Sequence, residues 1–67
     1  MIRNDTELEV TQERIRQFER QAAQIRKTET DAQNYRLSVA GYVAEIDRMN
    51  LEVREYLSAL PSELLVR

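Results

Sequence analysis

The chain has 67 residues, a net charge of −2, and neither cysteine nor histidine. A chain of this length buries only about 60% of its unfolded surface, so a single core is marginally stable. The absence of cysteine excludes disulfides and thiolate metal sites, and without histidine the usual general base is missing. We therefore expect no catalytic site, metal or cofactor, and oligomerisation remains as a means of stabilisation.

Charge is distributed unevenly along the sequence. Residues 11–28 hold five basic and two acidic side chains, a net of +3, whereas residues 29–60 hold three basic and six acidic ones, a net of −3. Opposite charges favour packing the first half against the second, within one chain or between chains. No apolar run approaches the roughly 20 residues that span a bilayer, and no apolar signal segment follows Arg3, which predicts a cytoplasmic protein.

Residues 1–10 show no helical pattern. The alternation over Leu8–Val10 suits a short extended arm, and a frayed terminus is the alternative. Thr11 is expected to cap a first helix over residues 11–28, because its hydroxyl can accept a hydrogen bond from a free amide of the first turn. The apolar face of this helix recurs at spacings of three and four: Ile15, Phe18, Ala22 and Ile25.

Residues 29–34 are predicted to connect two helices. Thr30, Asp31 and Asn34 are residue types that favour caps and turns over helix interiors. The apolar register also slips by three residues here, and a helix–turn–helix connection explains both observations. The alternative is one long coiled-coil helix that absorbs the slip, since no glycine marks the end of the first helix.

The second predicted helix covers residues 35–60. Its apolar residues alternate at spacings of four and three: Tyr35, Val39, Tyr42, Ile46, Met49, Val53, Tyr56 and Leu60. Pro61 is expected to end this helix, which leaves residues 61–67 as a tail. The sequence thus predicts one all-α module over residues 1–67, a two-helix antiparallel hairpin that assembles into a helical-bundle oligomer.

A second apolar row lies on the same helix. Leu37, Ala44 and Leu51 are seven residues apart, roughly opposite the main stripe, and a helix apolar on two sides cannot bury both against one shorter partner. Gly41, beside Ala44, either leaves room for another backbone or is tolerated on a solvated face. We predict a homo-oligomer, a dimer or a tetramer. The last turns of the helix would project past the first unless the Leu8–Val10 arm folds over them, so they are included in the predicted interface. Its residues are Leu37, Ala44, Met49, Leu51, Val53, Tyr56, Leu57 and Leu60.

Three basic residues fall near one face of the first helix: Arg16, Arg20 and Lys27. They can contact phosphates, so the alternative function is a small nucleic-acid-binding protein that uses this basic face. The acidic total charge and the lack of a basic stripe with interleaved aromatic residues argue against this alternative.

Several short stretches follow one another in an order seen in a known family. They are Ile2-Arg3-Asn4, then Val10-Thr11 with Phe18-Glu19, and then Glu52-Val53-Arg54-Glu55-Tyr56 with Leu60. This order resembles the helical N-terminal segment of bacterial regulators of the XRE helix-turn-helix type, including antitoxins of the HigA kind. In that family the segment commonly precedes a DNA-binding domain, and Leu60–Leu64 is similar to the joint where that domain begins.

The 67 residues hold no such DNA-binding domain, so the resemblance implies neither DNA recognition nor a catalytic residue. It implies a dimerising or partner-binding segment, either free-standing or part of a longer regulator, with a toxin or regulator protein as partner. The expected function is therefore a non-catalytic oligomerisation or partner-binding module of a bacterial transcriptional-regulator or toxin–antitoxin system.

Overall fold

The computed structural model describes residues 1–60, which form two antiparallel α-helices. Helix α1 covers Asp5–Thr28 and helix α2 covers Ala32–Leu57. The predicted all-α hairpin is confirmed for these residues, and the alternative of one continuous helix is wrong. The predicted stop at Pro61 and the tail over residues 61–67 lie outside the described residues.

Helix α1 starts earlier than predicted, because Asn4 caps it. The Asn4 backbone is extended, and its Oδ1 accepts a hydrogen bond from the Glu7 amide at 2.8 Å. In return, the Glu7 carboxylate accepts from the Arg3 amide at 2.7 Å. The first bond satisfies a free amide of the first turn, and the second resembles the return bond of a capping box, although it reaches the residue before the cap. The prediction of an extended arm over residues 1–10 is therefore wrong for residues 5–10, which belong to the helix.

The connection between the helices is shorter than predicted. The Glu29 amide donates to the Ile25 carbonyl at 2.8 Å and closes the end of α1. The Asp31 carboxylate then caps α2 by accepting from the Gln33 amide at 2.8 Å and the Asn34 amide at 3.1 Å. No residue in the described part has a positive φ. The turn therefore needs no left-handed position, which explains why it forms without glycine.

Helix α2 ends at Leu57, before the predicted end at Leu60. The Ser58 amide donates to the Arg54 carbonyl at 3.0 Å, and the Ser58 hydroxyl donates to the Glu55 carbonyl at 2.9 Å. These bonds satisfy two carbonyls of the last turn that have no partner further along the helix.

The core is small and lies along the seam between the two helices. Its buried residues come from both helices and from the N-terminal segment: Ile2, Ile15, Val39, Met49 and Tyr56. Midway along the seam the rings of Phe18 and Tyr42 meet edge to face, with centroids 5.7 Å apart. The described part of the chain measures 49 × 17 × 13 Å and forms a single layer of two helices. Each helix therefore has only one face covered by the other.

Candidate protein-interaction surface

Two residues of the predicted oligomer interface, Met49 and Tyr56, are packed inside the hairpin. Met49 is 3% exposed and Tyr56 is 6% exposed, and Ile2 lies beside both. The Tyr56 hydroxyl also donates to the Asp5 carboxylate at 2.6 Å. This hydrogen bond, followed by burial, raises the pKa of Tyr56 above its ordinary value. We therefore assign Met49 and Tyr56 to the intramolecular core.

The expectation that the last turns of α2 project past α1 is wrong, for a simple geometric reason. Helix α1 has 24 residues and α2 has 26, so the two are nearly equal in length. The early start of α1 and the residues before it cover the seam side of the end of α2, where Tyr56 is buried, and leave Leu57 exposed. Sequence reasoning missed Ile2 and Asp5 as partners of this end. The signal that could have found them is the pair Asn4 and Glu7, a cap residue followed three positions later by glutamate.

The row predicted on the other side of α2 does face solvent. Leu37 is 72% exposed, Leu51 is 44% exposed, and Ala44 between them is exposed as well. We call these three residues the outer row. A methyl group added at Gly41 would meet no atom within 4 Å. The surface beside Ala44 is therefore smooth and open in the single chain, and no intramolecular contact requires a glycine there.

The remaining predicted interface residues lie near the end of α2. Val53 is half-buried at the seam, whereas Leu57 and Leu60 are exposed. The predicted interface thus divides into three environments: the intramolecular core, the outer row and the exposed end of α2. Of the three, only the outer row combines solvent exposure with regular heptad spacing.

The basic residues proposed as nucleic-acid contacts are exposed on α1, but two of them share an acidic partner. Arg16 contacts the Glu13 carboxylate at 2.8 Å and Arg20 contacts it at 3.3 Å. The hydrogen bonds from Arg16 and then Arg20 hold the pKa of Glu13 below its usual range. Glu13 therefore stays ionised and offsets part of the positive charge. Lys27 is exposed nearer the turn.

The described residues contain few groupings that suit small-molecule chemistry. A groove of about 460 Å³ lies between the residues that precede α1 and the end of α2; its lining includes Ile2, Glu52, Glu55 and Tyr56. Within residues 1–60, no three acidic side chains are placed together to hold a metal ion. Neither of the two described helices is long and apolar enough to cross a membrane.

No family model, curated protein or solved structure matches the chain. The resemblance to XRE-type regulators therefore stays a prediction from the sequence.

Proposed function

We propose that the chain is a non-catalytic module that assembles with other protein chains through the outward face of α2. The observation that carries this proposal is the outer row, Leu37, Ala44 and Leu51, which is exposed at heptad spacing on the side of α2 away from α1. Single exposed leucines are ordinary on protein surfaces. A row that repeats every seven residues along a helix is typical of helix–helix packing.

The energetics of so small a chain support the same proposal. The hairpin buries few apolar side chains, and all lie on one seam. Fully burying a leucine side chain is worth about 1.5–3 kcal/mol. Because Leu37 is 72% exposed and Leu51 is 44% exposed, covering both would add about 2–3 kcal/mol per chain to a marginal fold. Association through the outer row would therefore stabilise the hairpin as well as join chains.

The biological setting is the part of the proposal that rests on the resemblance. We propose a bacterial transcriptional regulator or toxin–antitoxin system, in the cytoplasm, with the chain acting as a homo-oligomer or binding a toxin or regulator protein. The absence of histidine and cysteine supports a non-catalytic role. A toxin gene or a separate DNA-binding protein encoded next to this chain would support the setting.

Self-association is tested by comparing the wild type with Leu51→Asp and a matched control, Ala23→Asp, at an exposed position of α1. Sedimentation and thermal melting are followed over about a hundredfold range of concentration, because the melting temperature of an associating protein rises with concentration. We expect that rise for the wild type and the control. Leu51→Asp should sediment as a folded monomer whose melting temperature is constant. Met49→Asp would be a poor test, since Met49 belongs to the core.

A wild-type chain that sediments as a folded monomer throughout, with a constant melting temperature, would contradict self-association. The outer row would then require a different protein partner. The nucleic-acid alternative is supported only by the exposure of Arg16, Arg20 and Lys27. It predicts DNA affinity that falls steeply with salt, by a slope of about −0.9 per neutralised phosphate, whereas the proposed module predicts negligible affinity at any salt concentration.

A further inference from the structure

We infer that the partner of the outer row is a second copy of this chain, packed antiparallel through α2 about a two-fold axis that passes close to Ala44. The inference rests on the proposed function of the outer row as an assembly surface. It adds the identity of the partner, the direction of packing and the register. Three properties of α2 carry it: the symmetry of the row, the small residues near its centre and the distribution of charge.

The outer row is symmetric about its middle residue. Leu37 and Leu51 each lie seven residues from Ala44, about 10 Å along the helix at 1.5 Å per residue. An antiparallel pair centred on Ala44 therefore places Leu37 of each copy opposite Leu51 of the other. A two-fold contact requires a surface that complements itself, and this row meets that requirement.

The residues beside Ala44 leave room for close packing without burying charge. In this register Asp47 lies opposite Gly41 of the second copy, and Arg48 lies opposite Ala40. Both small residues are exposed, and the space around the Gly41 Cα is open. The Arg48 stem can therefore lie over Ala40 while its charged group stays in water, and the short Asp47 side chain faces a residue that has no side chain.

Charge favours the antiparallel direction over the parallel one. Residues 32–44 of α2 carry a single charged side chain, Arg36, for a net of +1. Residues 45–57 carry four acidic and two basic side chains, for a net of −2. Antiparallel packing sets the positive half of each helix against the negative half of the other, whereas parallel packing sets the negative halves together. The helix dipoles also oppose each other favourably in the antiparallel pair.

Disulfide cross-linking tests the register, since the natural chain has no cysteine to interfere. Four full-length variants are oxidised mildly at a concentration where the wild type is associated: Ala44→Cys, Leu37→Cys, Leu51→Cys and the control Ala23→Cys. A disulfide needs Cβ atoms about 3.5–4.5 Å apart, so only residues that face each other join efficiently. Products are read on non-reducing gels and by mass spectrometry, with one leucine variant isotope-labelled.

We expect Ala44→Cys to cross-link to itself in high yield. Leu37→Cys and Leu51→Cys should cross-link only when the two variants are mixed. In this register, residue 37 of one chain lies about 21 Å along the axis from residue 37 of the other, and the same holds for residue 51. The Ala23→Cys control should stay monomeric on the gel.

Self-cross-linking of Leu37→Cys and of Leu51→Cys alone would indicate parallel packing. Absence of cross-links in a chain that still associates would place the contact on another face. Both outcomes overturn this inference and leave the assembly function standing. A chain that is monomeric by sedimentation and forms no cross-link overturns self-association and the inference together.

Discussion

The two ends of the hairpin are packed very differently. At the terminal end, where α1 begins and α2 ends, Ile2, Met49 and Tyr56 are buried. At the turn end, Ile25 and Tyr35 are only half-buried, and Leu37 is among the most exposed apolar residues of the described chain. Val39 is the buried residue nearest the turn, and beyond it the seam residues are only half-buried.

The difference shows that two kinds of interaction hold the hairpin together. Contacts between residues 51 apart in the sequence fix the terminal end, since the Met1 amine pairs with Glu52 at 3.3 Å and Tyr56 bonds Asp5. Local caps at Glu29 and Asp31 fix the turn end. The outer row begins with Leu37, close to the turn. Leu37 is exposed because it lies on the outward side of α2, two residues from the buried Val39.

The largest effect is expected from Met49→Ala, which removes a core side chain at the terminal end. We expect a loss of about 2–5 kcal/mol in the free energy of unfolding, because truncating a buried methionine loses transfer energy and leaves a cavity. The matched change at the turn end is Ile25→Ala, which should cost clearly less because Ile25 is half-buried. Urea unfolding followed by circular dichroism, at one protein concentration, measures both. Equal losses of unfolding free energy in the two variants would show that both ends of the hairpin contribute equally to its stability.

The hairpin itself could be predicted because its signal is local. The spacing of Ile15, Phe18 and Ala22, and of the stripe from Tyr35 to Tyr56, records which face of each helix is apolar. The start of α1 was not predicted, because its first turns carry few apolar residues. Their helical state depends on the Asn4 cap and on contact with α2, and the latter is a tertiary interaction. The spacing of apolar residues alone reveals neither the cap nor the contact with α2.

The candidate surface could be predicted only in part. Heptad spacing correctly indicated that Leu37 and Leu51 lie away from the main stripe, and the structure leaves both exposed. The same pattern could not separate Met49 and Tyr56 from the surface residues near them. Whether they face a second chain or the same chain depends on how far α1 extends, and that length followed from a cap rather than from an apolar repeat.

A smaller effect is expected from Asp31→Ala at the turn end. The variant removes the side-chain acceptor of the Gln33 and Asn34 amides, and losing an N-cap typically costs about 1 kcal/mol. Asp31→Asn is the matched control, because asparagine caps about as well as aspartate. Thermal melting gives the total loss, and amide exchange locates it. We expect faster amide exchange in the first turn of α2 and unchanged exchange around Met49. Equally faster exchange at both places would show that the two ends of the hairpin do not unfold independently.

The smallest effect is expected from Tyr56→Phe, and its size depends on pH. The hydrogen bond to Asp5 raises the pKa of Tyr56, so the folded state favours the neutral phenol. The resulting stabilisation is fully present below the unfolded tyrosine pKa of about 10 and is lost as the pH rises through the higher pKa of the folded state. At neutral pH, Tyr56→Phe should therefore lose less stability than Met49→Ala. Above about pH 10 the wild type should approach the variant, because the hydroxyl that distinguishes them becomes a phenolate facing a carboxylate.

Tyr35→Phe at the turn end is the control, since the Tyr35 hydroxyl makes no hydrogen bond within residues 1–60. Urea unfolding of the three proteins between about pH 7 and 11 measures the difference. A gap between wild type and Tyr56→Phe that stays constant across this range would show that the bond to Asp5 does not stabilise the terminal end.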